Sequence, residues 1–292
     1  VRLAGVYALA SLADDWEAGR QMCIDVLCAY LRMPYTPPVD QSKEPAGSAD
    51  GNGEAAGDAA VVVDEKEQRE RLQERQVRLT IIRVITAHLW EGAPVSWQGH
   101  DFDFSGAVFD GGDFTRAVFS GGSVDFSEAE FTGGNVYFIG TQFTGSNVDF
   151  IGTQFTGSNV DFSAARFTGG EVDFRYAQFT GGRVDFSRTR FTGSNVYFSR
   201  TQFTGSNVDF IGTQFTGSNV DFSAARFTGG NVDFSAARFT GGRIDLQSAF
   251  FGTPPVFDSW ADGPPESLLL PPDFRRDAGD ADSDSAGSPD PE

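Results

Sequence analysis

The sequence is poor in the residues that usually carry chemistry. It holds two cysteines and two histidines in 292 residues, and the tract from Ser123 to Gly242 has no histidine, cysteine or lysine at all. A nucleophilic triad needs a histidine beside a serine or cysteine. His88 and His100 stand alone, which assigns them surface or cap roles. A phosphate-binding loop needs lysine before serine or threonine in a glycine-rich run, and none is present. No catalytic residue, cofactor or metal is therefore expected. No apolar run reaches the roughly 18 residues of a membrane span, and the opening VRLAGVYALASLADD lacks the basic region and cleavage site of a signal peptide. Cys23 and Cys28 lie five apart in a helical pattern and do not face each other. Two such cysteines suit a reducing compartment, so a cytoplasmic location is expected.

Positive charge is also scarce: 41 acids stand against 22 bases, for a net charge of −19. Residues 1–99 carry 15 acids and 10 bases, residues 100–252 carry 16 and 10, and residues 253–292 carry 10 and 2. With no basic stripe in the sequence to neutralise phosphates, direct nucleic-acid binding is not expected.

What the chain has in excess is phenylalanine (29) and glycine (35). Both belong to ten consecutive copies of a twelve-residue unit between Ser123 and Gly242, such as NVDFSAARFTGG at 159–170. A branched apolar residue leads each copy, and phenylalanine follows two residues later: Phe126, Phe138, Phe150, Phe162, Phe174, Phe186, Phe198, Phe210, Phe222 and Phe234. A second phenylalanine comes five residues on: Phe131, Phe143, Phe155, Phe167, Phe179, Phe191, Phe203, Phe215, Phe227 and Phe239. Ala or Thr stands two residues before this second ring, and Gly two residues after it. Period-two alternation puts the apolar residues of each short segment on one face. One unit cannot bury its own rings, but stacked copies can. These phenylalanines are the expected core.

The entry to the tract has Phe104, Phe109, Phe114 and Phe119 five apart, with Ala107, Gly112 and Ala117 two residues before the last three. In this the chain resembles the pentapeptide-repeat family. The resemblance covers residues 102–251 and implies a mainly β fold: a right-handed, four-sided parallel β-helix. From Phe119 the spacing becomes seven, then five, so every second turn carries two extra residues. Two arrangements fit, a 24-residue coil with enlarged turns at opposite corners and a flat 12-residue coil. The first is expected, because Ser163–Ala164 matches a family corner and the tract continues from unmodified pentapeptides. The opening VRLAGVYAL and the stretch VLCAYLRMPY resemble the helical segment that precedes the repeats in actinobacterial members.

The expected organisation is a helical hairpin at 1–37, a disordered linker at 38–61, a long helix and capping junction at 62–98, the solenoid at 99–260 and an acidic disordered tail at 261–292. In the hairpin, Val6, Leu9, Ala10 and Ala13 form one stripe and Cys23, Val26, Leu27, Tyr30 and Leu31 another, with Asp14 or Asp15 as N-cap of the second helix. Leu79, Ile82, Val84, Ile85 and Leu89 mark the apolar side of the long helix. Trp90 and Trp97 are expected to cap the first coil, and Phe250, Phe251, Val256, Phe257 and Trp260 to close the last.

The functional candidates are outward positions: Asp149, Asp161, Asp173, Asp185, Asp209 and Asp221, with Tyr137 and Tyr197 interrupting the series, and Arg or Gln in the alternate segments. Stacking would place an acidic column beside a basic one. The threonine after each second ring reads as a turn hydroxyl. The expected function is a non-enzymatic scaffold or protein-interaction module whose protein partner and oligomeric state the sequence leaves open. The alternative rests on the resemblance, since some pentapeptide-repeat proteins imitate duplex DNA and bind DNA gyrase. The interleaved arginines count against it.

Overall fold

The computed structural model describes residues 1–39, 64–261 and 263–275. Beyond Val39 the expected linker lies outside the described residues, as does the expected tail beyond Arg275.

The repeat tract forms a parallel β-solenoid. Val124 pairs with Val148, Phe131 with Phe155, Val136 with Val160 and Phe143 with Phe167, each partner 24 residues on. The two units of a coil contribute four short strands, so the coil is four-sided and the flat 12-residue alternative is excluded. The first coil is shorter: Phe102 pairs with Val124 and Val108 with Glu130, 22 residues apart. The unmodified pentapeptides up to Phe119 supply the reason, because they give that coil one enlarged corner instead of two.

The first face stacks Phe102–Asp103, Ser123–Asp125, Asn147–Asp149, Glu171–Asp173 and Asn195–Tyr197, then the second halves of Gln214–Asp221 and Arg238–Asp245. The second stacks Val108–Phe109, Glu130–Thr132, Gln154–Thr156, Gln178–Thr180, Gln202–Thr204, Arg226–Thr228 and Phe250–Phe251. The third stacks Gly112–Asp113, Val136–Tyr137, Val160–Asp161, Arg183–Asp185, Asn207–Asp209 and Val232–Asp233. The fourth stacks Val118–Ser120, Gln142–Thr144, Arg166–Thr168 and Arg190–Thr192, then the first halves of Gln214–Asp221 and Arg238–Asp245.

All twenty repeat phenylalanines from Phe126 to Phe239 are buried, with Phe239 in the last full coil the most accessible at 8%. Rings stack on their counterparts one coil away: Phe155 on Phe179 at 4.5 Å, Phe162 on Phe186 at 4.9 Å. Burying each ring contributes about 1.5–3 kcal/mol. The small residue before the second ring is buried with it in every copy but the last, where Ala237 is partly buried, and where it is threonine its hydroxyl has a partner. Thr141, Thr153, Thr189, Thr201 and Thr213 donate Oγ1 to the carbonyls of Phe114, Phe126, Phe162, Phe174 and Phe186 at 2.6–2.7 Å. Ser146, Ser158, Ser194 and Ser206, buried at the enlarged corners, donate to the carbonyls of Phe119, Phe131, Phe167 and Phe179 at 3.0–3.2 Å. Gly170, stacked above Ser146, has φ +73°, and a Cβ there would sit 2.2 Å from the Ser146 carbonyl oxygen. Only glycine fits that close approach in that conformation.

Three helices cover the open end of the first coil: α1 (Arg2–Asp15), α2 (Arg20–Arg32) and α3 (Glu65–Leu89). Asp64 caps α3 by accepting from the Lys66 amide at 3.3 Å. Asp14, expected as an N-cap of the second helix, has another role. It accepts from Trp97 Nε1 at 3.1 Å and faces His88 Nε2 at 3.2 Å, and α2 starts after Gly19 without a side-chain cap. Val26, expected on the buried stripe of α2, is 52% exposed, while Ile24 and Cys28 are buried. The helix is wedged between α3 and the first strand, so a broader face is covered than a single stripe. Arg32 pairs with Asp103 at 2.5 Å and Gln21 donates to the Asp101 carbonyl at 2.9 Å, joining α2 to the first face. Arg78 of α3, buried, donates to the carbonyls of Tyr30, Leu31 and Met33 and so satisfies the C-terminal end of α2. Trp97 is fully buried and stacks on His88 at 4.1 Å. Trp90, expected beside it as a cap, is 54% exposed.

At the far end Phe251 stacks on Phe227 at 4.8 Å and Phe257 on Phe234 at 4.9 Å, with Trp260 against Phe257 at 5.4 Å. Phe250 and Val256 point outward. The closure runs past the boundary expected at 260. Leu268–Leu269 pairs with Ile244–Asp245, Leu268 and Leu270 are buried, and Phe274 packs edge-on against Phe251 at 5.9 Å. This short apolar cluster covers the last strand of the first face, which would otherwise offer unpaired backbone groups.

Candidate functional faces

The 24-residue coil sorts the outward side chains onto faces that a twelve-residue reading merges. The candidate aspartates divide between two faces: Asp149, Asp173 and Asp221 on the first, Asp161, Asp185 and Asp209 on the third. They do not form one contiguous acidic surface. Tyr197 stands between Asp173 and Asp221, and Tyr137 between Asp113 and Asp161.

Most of these carboxylates are already engaged. Asp149, Asp161, Asp173, Asp185 and Asp221 each accept, through Oδ1, the backbone N–H two residues on, at 2.7–2.9 Å. This local bond is the reason aspartate recurs there, because it fixes the tight corner that follows the strand. Asp209 instead meets Arg183, which bridges it at 2.5 Å and Asp185 at 3.0 Å. Arg175 pairs with Asp173 at 2.5 Å and lies over the Tyr197 ring at 5.5 Å. Burial, then the charges of Asp125 and Asp173 above and below, raises the Asp149 carboxyl above its ordinary range, against the opposing pull of the Ile151 amide.

The alternate segments separate by charge. The second face presents Gln154, Gln178 and Gln202 between Glu130 and Arg226. The fourth presents Gln142, Arg166, Arg190, Gln214 and Arg238, and none of its strands carries an acid. The threonines after the second rings line both faces, and among the described residues only Thr228 and Thr240 of these donate to a backbone carbonyl, at 3.4 Å. Most of the others are exposed, so the turn-hydroxyl reading holds for the end of the tract alone. The repeat of Gln or Arg at intervals of 24 was the available signal for this sorting.

Away from the faces, α3 and the first corners border an open groove of about 510 Å³ lined by Leu79, Ile82, Trp90, Arg116 and Ile139. Cys23 and Cys28 are free and buried, and burial pushes the Cys28 thiol up to about 12. A thiol so placed is a packing residue, because the reactive form is the thiolate. His100 donates through Nδ1 to Gln21 Oε1, 3.1 Å away, and burial, followed by the Arg20 charge, lowers its pKa. Among the described residues, no three His, Cys, Asp or Glu side chains converge as a metal site, and no helix is long and apolar enough to cross a membrane.

A closed four-sided coil, small residue and aromatic inside, polar ladders outside, defines a β-solenoid repeat protein. The family described as pentapeptide repeats matches residues 104–154 and 138–190, in nine copies, and over those residues the solenoid is similar to that family. No curated protein matches the chain.

Proposed function

We propose that the chain is a non-enzymatic interaction module in which the solenoid is a rigid support and its flat faces, together with the capping helices, bind a protein partner. The observation that carries this reading is the ladder itself. Each face repeats the same outward positions once per coil on a backbone whose hydrogen bonds and core rings continue from coil to coil. Such a surface is pre-organised, so little ordering entropy opposes binding to it. The buried, unpaired Cys23 and Cys28 fit a cytoplasmic setting.

Imitation of DNA toward a gyrase is the weaker reading. A mimic needs contiguous negative charge to enter a basic groove. Here the aspartates are divided between two faces, tied to corners and interrupted by tyrosines and arginines. Affinity isolation with the full chain should retain a protein whose recovery falls when outward residues of one face are changed without loss of thermal stability. Inhibition of gyrase supercoiling at sub-micromolar concentration, weakened by Asp161→Asn together with Asp185→Asn, would put mimicry first.

A further inference from the structure

In a protein of net charge −19, the fourth face is an acid-free strip. Arg166 and Arg190 are neighbours in register, and Arg238 follows after Gln214. All three are exposed, and among the described residues none forms an ion pair, whereas Arg175, Arg183 and Arg243 on the aspartate faces are all paired. Arg188, at the corner that leads into this face, is also exposed and without an ion pair among the described residues. We propose that the chain's own acidic segment, residues 276–292, lies along this face.

Charge complementarity points to this occupant. Residues 276–292 contain Asp277, Asp280, Asp282, Asp284, Asp290 and Glu292 against the single base Arg276, and no branched apolar or aromatic residue. Such a segment has nothing to bury, and charge is the strongest interaction open to it. The aspartates on the first and third faces repel it, and the second face offers few charges to hold it.

Reach is sufficient. The described chain ends at the far end of the solenoid, where Phe274 packs on Phe251. Seventeen residues extended span at most about 55–60 Å, while seven coils at about 4.8 Å per strand rise about 34 Å. The segment can cross the last coil and run down the fourth face as far as Arg166.

Tethering decides between this occupant and a free polyanion. Exposed ion pairs are individually weak, and a free polyanion meets the long-range repulsion of an acidic protein. A tethered segment meets the same face at an effective concentration in the millimolar range, which is enough to populate a weak contact. The face would then be covered at low ionic strength, and an incoming partner would compete with the segment for the arginines.

The test uses the full chain with Ser288→Cys carrying a spin label. Cys23 and Cys28 are buried and stay unlabelled. Amide NMR signals of 166–168 and 190–192 should broaden several-fold more than those of 178–180 and 202–204. The difference should vanish in about 1 M salt, where the Debye length is about 3 Å, and in the variant Arg166→Glu, Arg190→Glu, Arg238→Glu. An unchanged pattern of second-face signals in that variant shows that it folds. Equal broadening of both faces, no broadening, or broadening that survives the charge reversal would overturn the proposal. So would a single-stranded oligonucleotide that bound the fourth face equally well with and without residues 276–292, since the face would then serve an external polyanion.

Discussion

Phe150 and Phe174 lie one coil apart with ring centroids 4.6 Å from each other and planes within 1°. Twenty-four residues separate them in sequence, yet they are neighbours in a continuous column of rings. The column makes each ring a support for the coils on both sides. Phe186 sits inside it, stacked on Phe162 at 4.9 Å and on Phe210 at 5.1 Å. Phe186→Ala should cost about 3–5 kcal/mol, the range for truncating a buried aromatic. Gln178→Ala on the exposed second face should stay within about 0.5 kcal/mol. Denaturant unfolding of the two variants checks this, and equal losses would contradict the inside–outside assignment.

Asp161 illustrates what the outward aspartates do. Its Oδ1 accepts the Ser163 amide at 2.8 Å and holds the corner before Ala165. Removing it with Asp161→Ala should cost about 1 kcal/mol, the usual worth of one such bond. Asp161→Asn keeps the acceptor and should cost far less. A loss of the same size in both variants would show that the charge, and not the turn bond, is what matters there.

Asp149 should show the pH dependence of a crowded carboxylate. Burial, and then the neighbouring Asp125 and Asp173, raises its pKa above the ordinary 3.8. A raised acid favours the neutral form in the fold. Its stabilising contribution is therefore present below 3.8 and is lost as pH rises through the higher folded value. Asp149→Asn mimics the neutral form and keeps the acceptor for the Ile151 amide. The variant should melt above the parent at pH 7, with the gap closing on acidification through the carboxylate range. A gap that is constant or reversed with pH would contradict this account.

Much of the solenoid is legible in the sequence because its code is short and strict. A buried ring every five or seven residues, a small residue before it and a glycine after it leave few ways to stack. The 24-residue coil follows from the pentapeptides at Phe104–Phe119, which fix four sides before the enlarged corners begin. The helical cap is less legible, because its residues answer to two neighbours at once. Val26 fits a single stripe but is exposed, and Asp14 fits a cap but meets Trp97 and His88, partners more than seventy residues away. Leu268 and Leu270 were hidden for the opposite reason: two or three apolar residues in an acidic stretch carry no period, yet one strand edge was open to receive them. The separation of glutamines from arginines could not be seen in a twelve-residue frame, since it exists only once alternate units are turned to opposite faces.

The coil is the central claim, because every face, column and charge pattern depends on it. Its most direct test is a pair of engineered cysteines on the exposed strands, with Cys23 and Cys28 buried and silent. Gln178 and Gln202 are register partners in the second face, while Arg190 lies halfway between them in sequence on the fourth. Gln178→Cys with Gln202→Cys should form a disulfide or a short bifunctional cross-link under mild oxidation, since adjacent strands are about 4.8 Å apart. Gln178→Cys with Arg190→Cys should not. Efficient cross-linking of the second pair and none of the first would mean a coil of half the size, and would contradict the four-sided solenoid.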